Sequence, residues 1–139
     1  AWHTSEFYER IHCSRRSIKA SLLDQSLLCG LGNIYVDEAL FLAGIDPRSL
    51  SCAVPRSKFL LIEKAVRTVL TESIRYQGTT FRDYRTARGE VGGFFARLMV
   101  YGRAGEACRC CGTPIKKVRL SQRGTHFCST CQKRFKAKS

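Results

Sequence analysis

Cys108-x2-Cys111 and Cys128-x2-Cys131 set four thiols in two knuckles, with sixteen residues between the pairs. That is the spacing of a four-thiolate zinc site, because each Cys-x2-Cys turn brings two sulphurs onto one tetrahedral ion. A redox disulfide pair is the competing chemistry for the same residues. So short a connection buries little apolar surface, and one bound Zn2+ would supply the missing stability, on the order of 10–16 kcal/mol in finger peptides. Cys110 breaks the spacing and is expected to point away from the metal. His126 is a ligand by type, but it reads as a lone surface histidine. Cys13, Cys29 and Cys52 lie far from the knuckles and read as small buried hydrophobes in a reducing compartment.

A second feature is Gly30-Leu31-Gly32-Asn33, set between two apolar runs. Asn33 at a helix start caps it, and the first-turn amides and dipole suit an anion. Glycines without side chains let a phosphate approach, although a purely structural turn explains the same four residues. Lys19 and the later Lys116, Lys117, Arg119 and Arg123 add positive charge on two separate elements. Two anion-contacting elements in one chain suggest a clamp on a nucleic-acid backbone.

Charge supports that reading. Residues 1–96 carry 13 basic and 10 acidic groups, whereas residues 97–139 carry 11 basic groups and a single acid, Glu106. So basic an end usually meets a polyanion, a solubilising tail being the plainer alternative. Nothing in the 139 residues approaches the roughly 18 apolar positions of a membrane span, and with Arg15 and Arg16 in a mostly polar start no signal peptide is expected there. A cytoplasmic or otherwise intracellular location is expected.

The elements that must position these residues are mainly helical. Thr4 caps a first helix to about Cys13, a second covers Ser17 to Leu28, and a third begins at Asn33 and ends before Gly44. A fourth follows Pro55, where Phe59, Ile62, Val66, Val69, Leu70 and Ile74 form one stripe. From Gly78 the glycine, threonine and charge content predicts an exposed loop over about 78–93. Ile115–Leu120 and Thr125–Cys128 alternate as a β-hairpin with Arg123 at its tip. The organisation expected is a four-helix domain over 1–95 and a zinc-bound hairpin over 96–139.

"IKASLLDQSLLCGLGNIYVDEALFLAGIDP" closely resembles the helix–two-turns–helix motif of formamidopyrimidine-DNA glycosylases. "GTTFRDY", "VYGRAGEAC" and "CG…QRGTHFCSTCQ" are similar, in order, to that family's lesion loop, linker and zinc finger. The related endonuclease VIII type lacks the Gly-Asn-Ile-Tyr wording. The resemblance implies that Asn33, Tyr101 and Arg123 contact DNA phosphates and that Lys19 faces the DNA or the damaged base. It also implies a loop closing over an extruded base, with Thr79, Phe81, Arg82, Asp83 and Tyr84 at its edge. The implied activity is base-excision repair, in which oxidised purines such as 8-oxoguanine and formamidopyrimidines are removed and the abasic site is cleaved.

The departure from the family lies at the start. The family's nucleophile is an N-terminal proline amine on a β-sandwich, whereas this chain opens Ala1-Trp2-His3, where the second domain of the family begins. The expectation is therefore the C-terminal half of a glycosylase, monomeric, binding double-stranded DNA and one Zn2+, with no catalytic residue of its own. A stand-alone module that binds damaged DNA without chemistry is the alternative. A protein-binding zinc ribbon fits the cysteines but leaves Gly-Leu-Gly-Asn unexplained.

Overall fold

The computed structural model describes residues 8–9, 11–24, 32–83, 98–120 and 122–136, with side chains at all of these except 24, 70 and 73–83. Its elements are α1 (Ile18–Asp24), α2 (Gly32–Ala43), a 3-10 turn (Ser51–Ala53), α3 (Arg56–Asp83), β1 (Lys116–Leu120) and β2 (Arg123–Phe127). Of the first expected helix, Tyr8, Glu9 and Ile11 are helical, and its Thr4 cap lies outside the described residues. So do Leu28, where the second helix was expected to end, and Gly30 and Leu31 of the double turn.

Local chemistry sets the helix ends. Ser17 caps α1 by accepting the Ala20 amide on its hydroxyl at 3.1 Å. At the end of α2, Gly44 adopts a φ of 74°, the left-handed conformation that a side chain resists. Its amide donates to the Phe41 carbonyl and the Ile45 amide to the Leu40 carbonyl, each at 3.0 Å. These crossed bonds form a Schellman stop, which satisfies two carbonyls the helix leaves open.

One expectation about α3 is corrected. The helix does not stop at Gly78 but continues through Thr79, Phe81 and Arg82 to Asp83. A mid-helix glycine costs only about 1 kcal/mol relative to alanine, which a packed helix of this length absorbs. The lesion-loop positions up to Asp83 therefore lie on the last turns of a helix, and Tyr84 lies outside the described residues.

The core forms where the three helices meet. Ile18, Val36, Ala39, Leu40, Ile45, Phe59 and Ile62 are fully buried in one cluster. Phe59 and Ile62 come from the predicted stripe of α3, and Val66 and Val69 extend it. A smaller cluster joins Phe41 of α2 to Val100, Cys108, Ile115 and Cys128. The finger thus borrows a helical side chain for its own core.

β1 and β2 pair antiparallel, from Lys116 with Phe127 to Leu120 with Arg123. Only positions 121 and 122 separate the strands, and Gln122 takes a φ of 63°, as a two-residue hairpin turn requires. Arg123 is therefore the first residue of β2 rather than the tip. The terminal segment then returns to the helices: Ile45 bridges Lys133 in parallel. The Phe135 amide donates to Ser49 Oγ at 2.9 Å. Cys13 and Cys52, expected inside, are exposed, and Cys29 lies outside the described residues. Among the described residues no helix is long and apolar enough to cross a membrane.

Candidate metal centre and nucleic-acid interface

The Sγ atoms of Cys108, Cys111, Cys128 and Cys131 all lie within 4.8 Å of one another. Cys108 and Cys131 are 3.8 Å apart at sulphur, and Cys111 and Cys128 are 3.4 Å apart. These separations suit a tetrahedron of Zn–S bonds of about 2.3 Å and exceed a disulfide bond of about 2.05 Å. Backbone amides support the sulphurs: Cys110 N donates to Cys108 Sγ at 3.4 Å and Cys131 N to Cys128 Sγ at 3.3 Å. The Thr113 and Thr130 hydroxyls join the two knuckles at 2.8 Å.

The thiols differ in acidity. The Thr113 side chain, by hydrogen bonding, draws the Cys111 thiol down to about 6. Burial and the neighbouring sulphurs push the Cys131 thiol up. Four thiolates so close need a cation, and the donor set is the one zinc takes in structural sites. This is a zinc site for one ion. Exposed Cys110 stands apart from the cluster, as its spacing predicted.

The second constellation is polar and buried. Lys19 is fully buried, and its ammonium donates to Asp37 Oδ1 at 2.7 Å, Thr125 Oγ1 at 2.9 Å and the Gly124 carbonyl at 3.1 Å. Three hydrogens meet three acceptors. Lys19 therefore does not face solvent in this chain, where the resemblance implied a residue facing the DNA or the damaged base. Burial pulls its ammonium below the ordinary lysine value, the Asp37 carboxylate opposes that pull, and Arg123 adds a smaller repulsion.

Asp37 completes the set. Its Oδ2 accepts the His126 amide at 2.9 Å and lies 3.2 Å from His126 Nδ1. His126, expected at the surface, is 5% exposed and packs against the Tyr101 ring with centroids 4.7 Å apart. It leaves the surface because Asp37 offers a second oxygen that must be satisfied inside. Breaking such a buried ion pair by removing one partner costs about 3–5 kcal/mol.

Glu38, next in sequence, holds the linker. Its carboxylate accepts the amides of Met99, Val100 and Tyr101 at 2.8, 2.8 and 2.9 Å. Burial pushes this carboxyl above the ordinary value, and the three amides counter it. Asp37 and Glu38 went unnoticed in the sequence. The signal was present: adjacent acids inside the otherwise apolar "IYVDEALFLA" must be paired when the helix is buried.

Asn33 lies in the first turn of α2, and its Nδ2 donates to the Gly124 carbonyl at 3.1 Å. Its Oδ1 is buried without a hydrogen-bond partner. Gly124 follows exposed Arg123, so the helix start and the start of β2 stand side by side. Tyr101 is half-buried beside His126. Lys116, Lys117 and Arg119 are exposed on β1. The structure therefore sets Asn33 beside the Arg123–Gly124 step, holds Lys19 on the same Gly124 carbonyl, and packs Tyr101 against His126.

Comparison with known proteins gives the same two parts. Residues 1–85 match the formamidopyrimidine-DNA glycosylase H2TH domain, and residues 105–134 match a zinc finger found in FPG and IleRS. The chain is 50% identical over 125 residues to a formamidopyrimidine-DNA glycosylase of Halalkalibacterium halodurans, covering 90% of this chain and 46% of that protein. For the one from Synechocystis the identity is 46% over 130 residues, covering 93% and 45%. Lactococcus lactis FPG in complex with FAPY-dG containing DNA is similar in structure, with TM-score 0.80, 37% identity, and 95% and 48% coverage. The Lactococcus lactis Fpg bound to DNA containing an abasic site gives TM-score 0.80 at 38% identity, with the same coverage. The chain thus spans about half the length of the relatives it matches. Its helical part and its four-cysteine finger together make it a member of the formamidopyrimidine-DNA glycosylase family.

Proposed function

We propose that this chain is the DNA-gripping half of a base-excision-repair glycosylase and AP lyase that acts on oxidised purines. One observation carries the reading: Asn33 and the Arg123–Gly124 step, 91 positions apart, meet through a hydrogen bond of 3.1 Å. A helix N-terminus and a cation brought side by side offer two kinds of donor to one phosphodiester backbone. Tyr101 adds a third contact from the linker. Residues 1–95 act as the helical DNA-binding unit and 96–139 as the finger. Thr79, Phe81, Arg82, Asp83 and Tyr84 serve the extruded base, starting from the last turns of α3.

The nucleophile belongs to another part of the whole enzyme, so the chain alone binds without cleaving. It acts as a monomer on double-stranded DNA holding an oxidised purine or an abasic site, inside the cell. Titration of such a duplex at several salt concentrations tests the grip. Arg123→Ala removes one cation contact and should flatten the log–log salt slope by about 0.9. Asn33→Ala removes a neutral contact, so affinity should fall at nearly unchanged slope. Binding untouched by both at every salt would refute the clamp. Borohydride trapping on an abasic oligonucleotide should give no covalent adduct, and a clean adduct through Ala1 would refute the division of labour.

A further inference from the structure

The buried cluster beneath the phosphate junction has an arrangement that simple stabilisation does not require. Starting at Asp37, one oxygen holds the Lys19 ammonium and the other holds the His126 amide. Lys19 passes the constraint to the Gly124 carbonyl and to the Thr125 hydroxyl. That hydroxyl donates in turn to the Arg123 carbonyl at 3.1 Å. Residues 123–126 are thus each tied, directly or through one or two atoms, to a single carboxylate on α2.

Asn33 lies four residues before Asp37, on the same face of α2. Its amide is oriented by the same Gly124 carbonyl that Lys19 holds. A carbonyl accepts and cannot donate, so Nδ2 must face Gly124, and a flipped amide would set two oxygens against each other. The unpartnered Oδ1 is the cost of that orientation. With Oδ1 unpartnered, Asn33 does not act as the helix cap expected of it, and its side chain is oriented by the Gly124 carbonyl instead.

We propose that Asp37 is a positioning residue for the DNA grip: it fixes the spacing between Asn33 on α2 and Arg123 on β2, so that both engage one backbone together. This rests on the DNA-binding reading above and adds the residue that makes the two contacts cooperate. Lys19 and Thr125 are the means, and neither touches DNA.

The test uses the zinc-loaded chain and a duplex carrying a tetrahydrofuran abasic analogue. Asp37→Asn keeps the size of the side chain and loses its charge. It should weaken binding about tenfold and lower the salt slope by about 0.9, as Arg123→Ala does, because Arg123 no longer reaches its phosphate. Adding Arg123→Ala to Asp37→Asn should then change affinity by less than about threefold, since neighbouring sites in one network are not additive. A role in stability alone predicts an unchanged slope and the full Arg123→Ala effect in both backgrounds, and that result overturns the proposal. Should Asp37→Asn not fold, Thr125→Val keeps the ion pair and runs the same cycle, with the same two outcomes. If the parent chain does not bind the duplex, the DNA reading fails separately, and amide exchange decides the positioning. The His126 amide should exchange at least about tenfold faster in Asp37→Asn once its acceptor is weakened, and unchanged exchange overturns the proposal.

Discussion

The helical half and the finger are held together by different physics. Among the described residues, seventeen buried hydrophobic residues form the helical cluster, a core of ordinary size. The finger cluster has five, of which two are zinc ligands and one, Phe41, belongs to α2. One region therefore folds by removing apolar surface from water, and the other by metal coordination plus contacts lent by its neighbour. The difference teaches where each kind of damage should stop.

Metal removal is the sharpest way to separate them. Chelation, or Cys128→Ser, should release the zinc and unfold residues 105–134, a loss on the order of 10 kcal/mol of binding free energy. Circular dichroism should retain the helical signal, and loss of both together would erase the distinction. Cys110→Ser should leave one zinc per chain by metal analysis, because Cys110 lies outside the cluster.

Phe59→Ala attacks the other side. Phe59 is fully buried among the helices, and its loss should cost about 3–5 kcal/mol through the cavity it leaves. Thermal melting should fall by many degrees while zinc content stays at one per chain. A Phe59→Ala chain that loses zinc at a temperature where its helices persist would show the finger leaning on the helical core.

Gln132→Ala has the smallest expected effect and probes the seam. Gln132 accepts the Cys128 amide at 2.7 Å and donates to the Ile45 carbonyl at 2.9 Å, both buried. Leaving these groups unpaired should cost about 1–3 kcal/mol. Denaturant melts of the zinc-loaded chain should show it, with helical content and metal content otherwise kept. No change would mean that water replaces the bridge at no cost.

How much of this was legible in the sequence follows from the range of each signal. The zinc ligands were readable because a knuckle is local, its two cysteines being three positions apart. The stripe of α3 was readable for the same reason, since a helical face repeats within a turn. The end of α3 was missed because one glycine lowers helix preference by only about 1 kcal/mol, too little to end a long helix. Lys19 and His126 were misplaced because their partners lie far along the chain: Thr125 is 106 positions from Lys19, and Asp37 is 89 positions from His126. Nothing local says that a lysine will meet a buried carboxylate. Asn33 and Arg123 were named individually, but their meeting over Gly124 is a product of the fold.

The return of the terminal segment to the α2 exit has a kinetic consequence. Lys133 N donates to the Gly44 carbonyl and Asp46 N to the Lys133 carbonyl, each at 2.8 Å, while Leu50 N donates to the Phe135 carbonyl at 3.0 Å. These bonds close loops of more than 80 residues, so the chain must search a wide ensemble before they form. During synthesis the helices emerge first and wait with the α2 exit uncovered. Lys133 and Phe135, which follow the helices in the chain, are the ones that seal it.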